Sequence, residues 1–130
     1  MAETTSTNPP VRSFRDLIVW QRAMELAEES VLLAEKLPVG KLRGLRDQIQ
    51  RSAASIPANI AEGNGKQRLG DYLRYLSMAN GSLMELETHI ELAARLHLAN
   101  EAQIAKAKSL AEEVSKMLRA LIGALERRRA

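Results

Sequence analysis

The sequence has no cysteine, only four aromatic residues and no long apolar run. Without cysteine, the chain can form no disulfide, no thiolate nucleophile and no cysteine-ligated metal centre. Its aromatic residues make up 3% of the chain and offer little for a platform on which bases stack: Phe14, Trp20, Tyr72 and Tyr75. No apolar stretch approaches the ~20 residues that span a bilayer. We therefore expect neither a disulfide scaffold, nor cysteine chemistry, nor contact with a membrane.

Recognisable metal and catalytic motifs are missing as well. A ferritin-like site needs Glu-x-x-His, but Leu86 stands three residues before His89, and Ala94 three before His97. The run Gly63-Asn64-Gly65-Lys66 lacks the Gly-Lys-Ser/Thr ending of a phosphate loop and follows a predicted helix rather than a strand. It indicates the end of a helix and a turn. We expect no enzyme, no cofactor and no metal, and we expect His97 at the edge of the core.

The residues that are present suit one folded domain. The chain has 130 residues, of which 45% are apolar and 27% charged, enough to bury a substantial core. Residues 1–12 are polar and are predicted to be a disordered tail, residues 13–127 the folded domain, and residues 128–130 a basic tail. The first residues lack the apolar core of a secretory signal, so the expected compartment is the cytoplasm.

Apolar residues recur at steps of three and four, which is typical of amphipathic helices. The pattern predicts helices over residues 16–37, 41–62, 69–96 and 100–127, with a kink or break near Pro57. Ser13 with Asp16, and Asn100 with Gln103, have the spacing of capping boxes. Four helices with short connections predict an all-α fold, an antiparallel up-down four-helix bundle.

The first predicted helix carries two neighbouring apolar stripes, more than one intramolecular seam needs. Either this helix lies deep in the bundle, or the second stripe packs on another subunit. We favour the second interpretation, which predicts an oligomer interface at Val19, Ala23, Leu26 and Leu33.

The net charge of +3 conceals a segregated pattern. The first helix is acidic overall, whereas the start of the second helix and the C-terminus are basic. The second helix either pairs with the acidic helix of a neighbour, faces phosphates, or is simply solvated. The candidate nucleic-acid-binding residues are Lys41, Arg43, Arg46, Arg127, Arg128 and Arg129.

Polar residues also line one flank of the second helix. Because polar groups beside a core need partners, we predict a structural network of Arg51, Ser55, Asn59, Glu62 and Glu87. In it, Arg51 or Arg46 would meet Glu87, and Asn59 would satisfy the backbone freed by Pro57.

Three segments resemble sequence blocks of one bacterial family. Residues 14–21 (FRDLIVWQ) resemble F-x-D-L-x-V-W-Q, and residues 51–63 (RSAASIPANIAEG) resemble R-x-A-x-S-I-P-x-N-I-A-E-G. Residues 81–88 (GSLMELET) resemble G-S-L-x-E-L-E-T. These blocks in this order resemble the 23S ribosomal RNA intervening-sequence proteins. The resemblance covers about residues 13–125, and none of its motifs is a catalytic signature.

The resemblance implies an antiparallel four-helix bundle that assembles as a pentameric ring. A distant relative is the accessory variability determinant of diversity-generating retroelements, which partners a reverse transcriptase and binds nucleic acid. We therefore expect a non-enzymatic homo-oligomer that contacts RNA or single-stranded DNA, with a reverse transcriptase or another protein as a possible partner. The alternative is a protein-interaction scaffold without affinity for nucleic acid.

Overall fold

The computed structural model describes residues 11–40 and 43–129, which form one turn of 3-10 helix and four α-helices. The turn spans Phe14–Asp16. The helices are α1 (Ile18–Glu35), α2 (Arg43–Asn64), α3 (Leu69–Arg95) and α4 (Glu101–Arg129). The described residues include no strand. The predicted all-α four-helix bundle is confirmed.

Each helix packs against its neighbours in the order α1, α2, α3, α4 and back to α1, and no Cα atoms of diagonal helices lie within 8 Å of each other among the described residues. Pairs of side chains show that neighbours are antiparallel. Arg22 of α1 meets Glu113 of α4, and seven residues further along α1 Glu29 meets Lys106, seven residues earlier in α4. Likewise, Asn64 of α2 meets Tyr72 of α3, and Ser55, earlier in α2, meets Ser82, later in α3.

The core is a Leu/Ile/Ala interior to which every helix contributes one stripe. On α1 this stripe consists of the residues that we assigned to an oligomer interface, and that assignment is wrong. Val19 is 5% exposed, and Ala23, Leu26 and Leu33 are 0% exposed within the single chain. They face α2 and α4 and are not available to a second subunit.

Pro57 does not break α2, which runs without interruption from Arg43 to Asn64. A proline lacks an N–H group and leaves the carbonyl four residues earlier, that of Ala53, without its helical partner. We predicted that Asn59 would satisfy it, but Asn59 Nδ2 instead donates to the carbonyl of Ser55 at 2.9 Å. The proline ring is buried in the core, where its apolar contacts stabilise the helix in this position.

The helix ends differ from the prediction in detail. The capping box of Ser13 and Asp16 is present, but it caps the 3-10 turn, and α1 starts two residues after that turn. Asn100 Oδ1 accepts from the backbone N–H groups of Ala102 and Gln103 and so caps α4. The reciprocal bond, in which Gln103 Oε1 would accept the backbone N–H of Asn100, is missing, since Gln103 Oε1 has no partner among the described residues. At the other end, α4 extends through Arg129, so Arg128 and Arg129 belong to a helix rather than to a tail.

A left-handed residue closes α3. The N–H of His97 donates to Ala94 O, and the N–H of Leu98 donates to Ala93 O, the pair of bonds that defines a Schellman motif. This motif places His97 at φ 54°, a conformation that favours glycine. His97 is exposed and not at the core edge, where we expected it.

We predict that His97→Gly stabilises the fold. Glycine relieves the left-handed strain, and part of that gain is offset by its larger unfolded-state entropy, which leaves about 0.5–1 kcal/mol. Urea denaturation measures the change, and His97→Ala, which keeps the strain, is the control and should not gain. A glycine variant less stable than the parent would contradict this explanation of the turn.

Candidate nucleic-acid interface

The up-down topology separates the predicted basic residues into two groups at opposite ends of the bundle. Arg43 lies at the start of α2 and Arg46 one turn later, whereas Arg127, Arg128 and Arg129 lie at the end of α4. Lys41 lies outside the described residues. Since α2 has 22 residues, the two groups are about 33 Å apart along the bundle. They do not form one surface.

The second group belongs to a larger charged surface. Antiparallel packing brings the 3-10 turn, the end of α2, the start of α3 and the end of α4 to one end of the bundle. We call it the basic end, formed by residues 12–16, 62–74 and 126–129. It carries eight Lys and Arg residues against four Asp and Glu residues, a net charge of +4. The other described residues sum to −1, so this end holds the net positive charge of the part of the chain that the structure describes.

The acids of the basic end are mostly engaged. Asp16 accepts the backbone N–H of Arg12 at 2.8 Å, and this hydrogen bond lowers its pKa below the ordinary value. Glu62 and Asp71 form loose ion pairs on their own segments, with Lys66 at 3.7 Å and Arg74 at 4.0 Å. Most of the acidic charge is therefore tied to local partners.

Six arginines of the basic end make no salt bridge within residues 11–40 and 43–129, and all are exposed: Arg12, Arg15, Arg68, Arg127, Arg128 and Arg129. The guanidinium of Arg129 lies beside Gly70, with Nη2 3.7 Å from the position of a Cβ there. The end of α4 thus contacts the start of α3, where Arg68 precedes the helix. These guanidinium groups can contact phosphates, which they bind by paired hydrogen bonds.

The sequence prediction missed five members of this surface: Arg12, Arg15, Lys66, Arg68 and Arg74. They lie in the turns and first helical residues, outside the charge blocks that we considered. Their common position follows from the topology, because the starts of α1 and α3 and the ends of α2 and α4 must meet in an up-down bundle.

The outer face of α1 is partly apolar. A shallow groove is lined by Met24, Ala27, Val31 and Leu32, with Glu28 and Glu29 among them. Leu32 is 49% exposed and Met24 37%. Scattered exposed apolar residues are ordinary. These residues share one groove, and this face of α1, unlike its buried stripe, is accessible at the surface of the single chain.

Comparison with known proteins identifies the family of the chain. The family model described as 23S rRNA-intervening sequence protein matches residues 15–120, which include the whole of α1, α2 and α3 and most of α4. The chain belongs to the 23S rRNA-intervening sequence protein family. The search of curated proteins found no match.

A solved structure agrees with the membership of this intervening-sequence family. It is a protein of unknown function from the S23 ribosomal protein family of Bacteroides thetaiotaomicron, with a TM-score of 0.72 and 27% sequence identity. The match covers 81% of this chain and 98% of that chain. Within the residues that the structure describes, no helix is long and apolar enough to cross a membrane. The same residues include no cluster of three or more His, Asp or Glu that could hold a metal ion.

The polar residues of α2 do not form the single network that we predicted for this family member. Ser55 and Asn59 lie together, with Asn59 Nδ2 donating to Ser55 Oγ at 2.9 Å, and Ser55 Oγ bonds Ser82 Oγ at 2.8 Å. Glu62 pairs with Lys66. Arg51 is exposed, and among the described side chains neither it nor Arg46 pairs with Glu87.

Glu87 instead lines a groove between α3 and α4, together with Glu91, Lys108 and Glu112. Burial raises the pKa of Glu87, a rise that Arg119 opposes and Glu112 reinforces. One turn away, the pKa of Glu91 is lowered by hydrogen bonds from Lys108 and Arg95. The pKa values of two carboxyl groups in one groove are therefore shifted in opposite directions.

These shifts predict opposite pH dependences. Glu87→Gln should raise the free energy of unfolding at neutral pH, because a raised folded-state pKa means that ionisation costs stability. The gain should shrink as the pH falls through the raised pKa and vanish below the unfolded-state value. Glu91→Gln, the matched control, should lower stability at neutral pH, and its loss should vanish below the lowered folded-state pKa. Urea denaturation across the acidic range tests both, and equal signs for the two variants would contradict the assignment.

Proposed function

We propose that this chain is a non-enzymatic nucleic-acid-binding protein that contacts the phosphate backbone through its basic end. The observation that supports this function is the concentration of positive charge: a net +4 at one end, while the other described residues sum to −1. Arg127, Arg128 and Arg129 remain the central candidates, joined by Arg68. Arg43 and Arg46 lie at the other end of the bundle and are not part of this surface.

The chemistry of the basic end matches phosphate rather than a small molecule. Its exposed guanidinium groups sit on the last turn of α4 and beside the start of α3, on helices whose backbone the core holds in place. Each contact releases a condensed counterion, which is the main source of affinity in sequence-independent binding. Arginine also keeps its charge at every physiological pH. Binding should therefore depend strongly on salt.

A pair of matched triple variants locates the interface. Arg127→Gln, Arg128→Gln and Arg129→Gln together should weaken binding of a labelled RNA by at least about tenfold at low salt, because three phosphate contacts are lost. Arg43→Gln, Arg46→Gln and Arg51→Gln remove the same charge elsewhere and should leave affinity nearly unchanged. Fluorescence anisotropy measures both. Equal losses in the two variants would show a diffuse charge effect, and a loss in the control alone would move the site to α2.

We also propose that the protein works as a homo-oligomer, with the pentameric ring as the assembly that the family resemblance implies. The exposed apolar groove of α1 supports an interface on that helix. Cyclic symmetry would repeat the basic end around the axis, and several weak sites would then act together. Binding of cellular nucleic acid suits the cytoplasm as the compartment, and a reverse transcriptase or another protein partner stays a prediction.

The second candidate function is a protein-interaction scaffold without affinity for nucleic acid. The acidic and apolar groove of α1 favours it, because the exposed Glu28 beside Leu32 suits a basic partner surface. In that case Arg43→Glu should break the assembly in light scattering, while nucleic-acid pull-down stays blank. An intact assembly in the Arg43→Glu variant, together with recovery of RNA, would exclude the scaffold.

A further inference from the structure

We infer, building on the proposed function, that the basic end binds double-stranded RNA or DNA in preference to single strands. The inference comes from the aromatic rings. All four aromatic residues of the chain lie at or beside the basic end, on the 3-10 turn, at the start of α1 and at the start of α3. Rings beside arginines suggest base stacking at first sight, but each ring is already engaged by the protein.

The rings of Phe14 and Trp20 pack against each other, and the Phe14 ring also contacts a neighbouring cation. The Phe14 ring carries the Arg15 guanidinium over its face, 4.6 Å from the ring centroid. The two rings meet edge to face with centroids 5.2 Å apart and an interplanar angle of 67°. Trp20 also packs against the core. A base could reach either ring only by displacing these contacts.

The two tyrosines are engaged as well, each by different neighbours. Lys66 Nζ lies 5.2 Å and Arg74 Cζ 5.0 Å from the centroid of the Tyr75 ring. Tyr72 packs over Gly63, and its hydroxyl accepts from Asn64 Nδ2 at 3.2 Å. Two of the four rings therefore contact cations of this surface, and all four are half-buried and packed against other groups of the protein.

This arrangement disfavours single strands. Proteins that bind single strands gain about 1–3 kcal/mol per base from stacking on aromatic rings, a contribution that engaged rings cannot supply. A single strand must also be ordered along the surface, whereas a duplex is stiff over ~150 base pairs. The basic end presents an array of cations on three chain segments. A duplex matches such an array best because it has the highest linear charge density, with one phosphate charge per ~1.7 Å.

Competition binding tests this preference. The probes are a labelled RNA duplex of about 20 base pairs, the equivalent DNA duplex, and unstructured oligouridylate and oligothymidylate of the same total phosphate count, all at one salt concentration. The full chain should bind either duplex at least about tenfold more tightly than the single strands. Changing the base sequence of the duplex should alter affinity less than about twofold.

The outcomes separate this inference from the function on which it rests. If single strands bind as tightly as the duplexes or more tightly, the preference is wrong while phosphate binding stands. If neither duplexes nor single strands bind at low salt, the proposed function fails and the preference fails with it. A strong dependence on base sequence would also overturn it, because it would require contacts to bases.

Discussion

Replacement of Gly63 by alanine is expected to lower the free energy of unfolding by about 1–3 kcal/mol. A Cβ at this position would lie 2.8 Å from Tyr75 Cβ, 3.1 Å from Tyr72 Cδ1 and 3.2 Å from Tyr72 O. Two of these atoms are fixed to the backbone of α3, so no side-chain rotation can make room. Within a helix, alanine is otherwise preferred over glycine by about 0.5–1 kcal/mol, and the steric cost reverses that sign.

Gly81 supplies the matched control for Gly63. It also lies within a helix, but it is exposed, and a Cβ there would meet nothing within 4 Å. Gly81→Ala should therefore stabilise the chain by about 0.5–1 kcal/mol. Urea denaturation of the two variants at one protein concentration compares them directly. A Gly63→Ala variant as stable as the parent would mean that α2 and α3 do not approach this closely.

Truncation of Leu26 to alanine is expected to cost about 2–5 kcal/mol, the range for a large side chain removed from a packed core. Leu26 is 0% exposed and sits in the middle of the buried stripe of α1. The variant should unfold at lower urea concentration with an unchanged slope, because the surface exposed on unfolding stays the same.

Leu32, on the outer face of the same helix, is the matched comparison. Leu32→Ala should change the stability of the dissociated chain by less than about 0.5 kcal/mol and should weaken the proposed assembly in sedimentation velocity. The opposite result is informative: if Leu26→Ala leaves stability intact and abolishes assembly, the buried stripe is the intersubunit surface after all.

The bundle itself could be predicted from the sequence because the apolar residues of each helix recur at the helical period. Which of the two apolar stripes of α1 is buried could not be predicted from the sequence. Leu26 and Leu33 on one stripe and Met24 and Val31 on the other are similar in apolar character. Which stripe turns inward depends on where α2 and α4 pack, and that is a property of the whole bundle.

Local structure explains why two other features could not be predicted from the sequence. His97 adopts a left-handed conformation without being glycine, so no residue type signals the end of α3 there. Gly63 lies at the end of α2, as predicted, but the sequence did not show that it also allows α2 and α3 to approach closely. The basic end, by contrast, was accessible: combining the predicted up-down topology with the positions of Lys66, Arg68 and Arg74 would have located it.

A salt titration of the wild-type chain with a labelled duplex tests phosphate binding by the basic end most directly. Six exposed arginines without ion pairs among the described residues predict that the logarithm of the association constant falls with the logarithm of salt concentration with a slope of about −5 or steeper. The Arg127→Gln, Arg128→Gln and Arg129→Gln triple variant should lose about 2.7 of that slope. A flat titration, or no binding at low salt, would contradict a nucleic-acid interface at this end of the bundle.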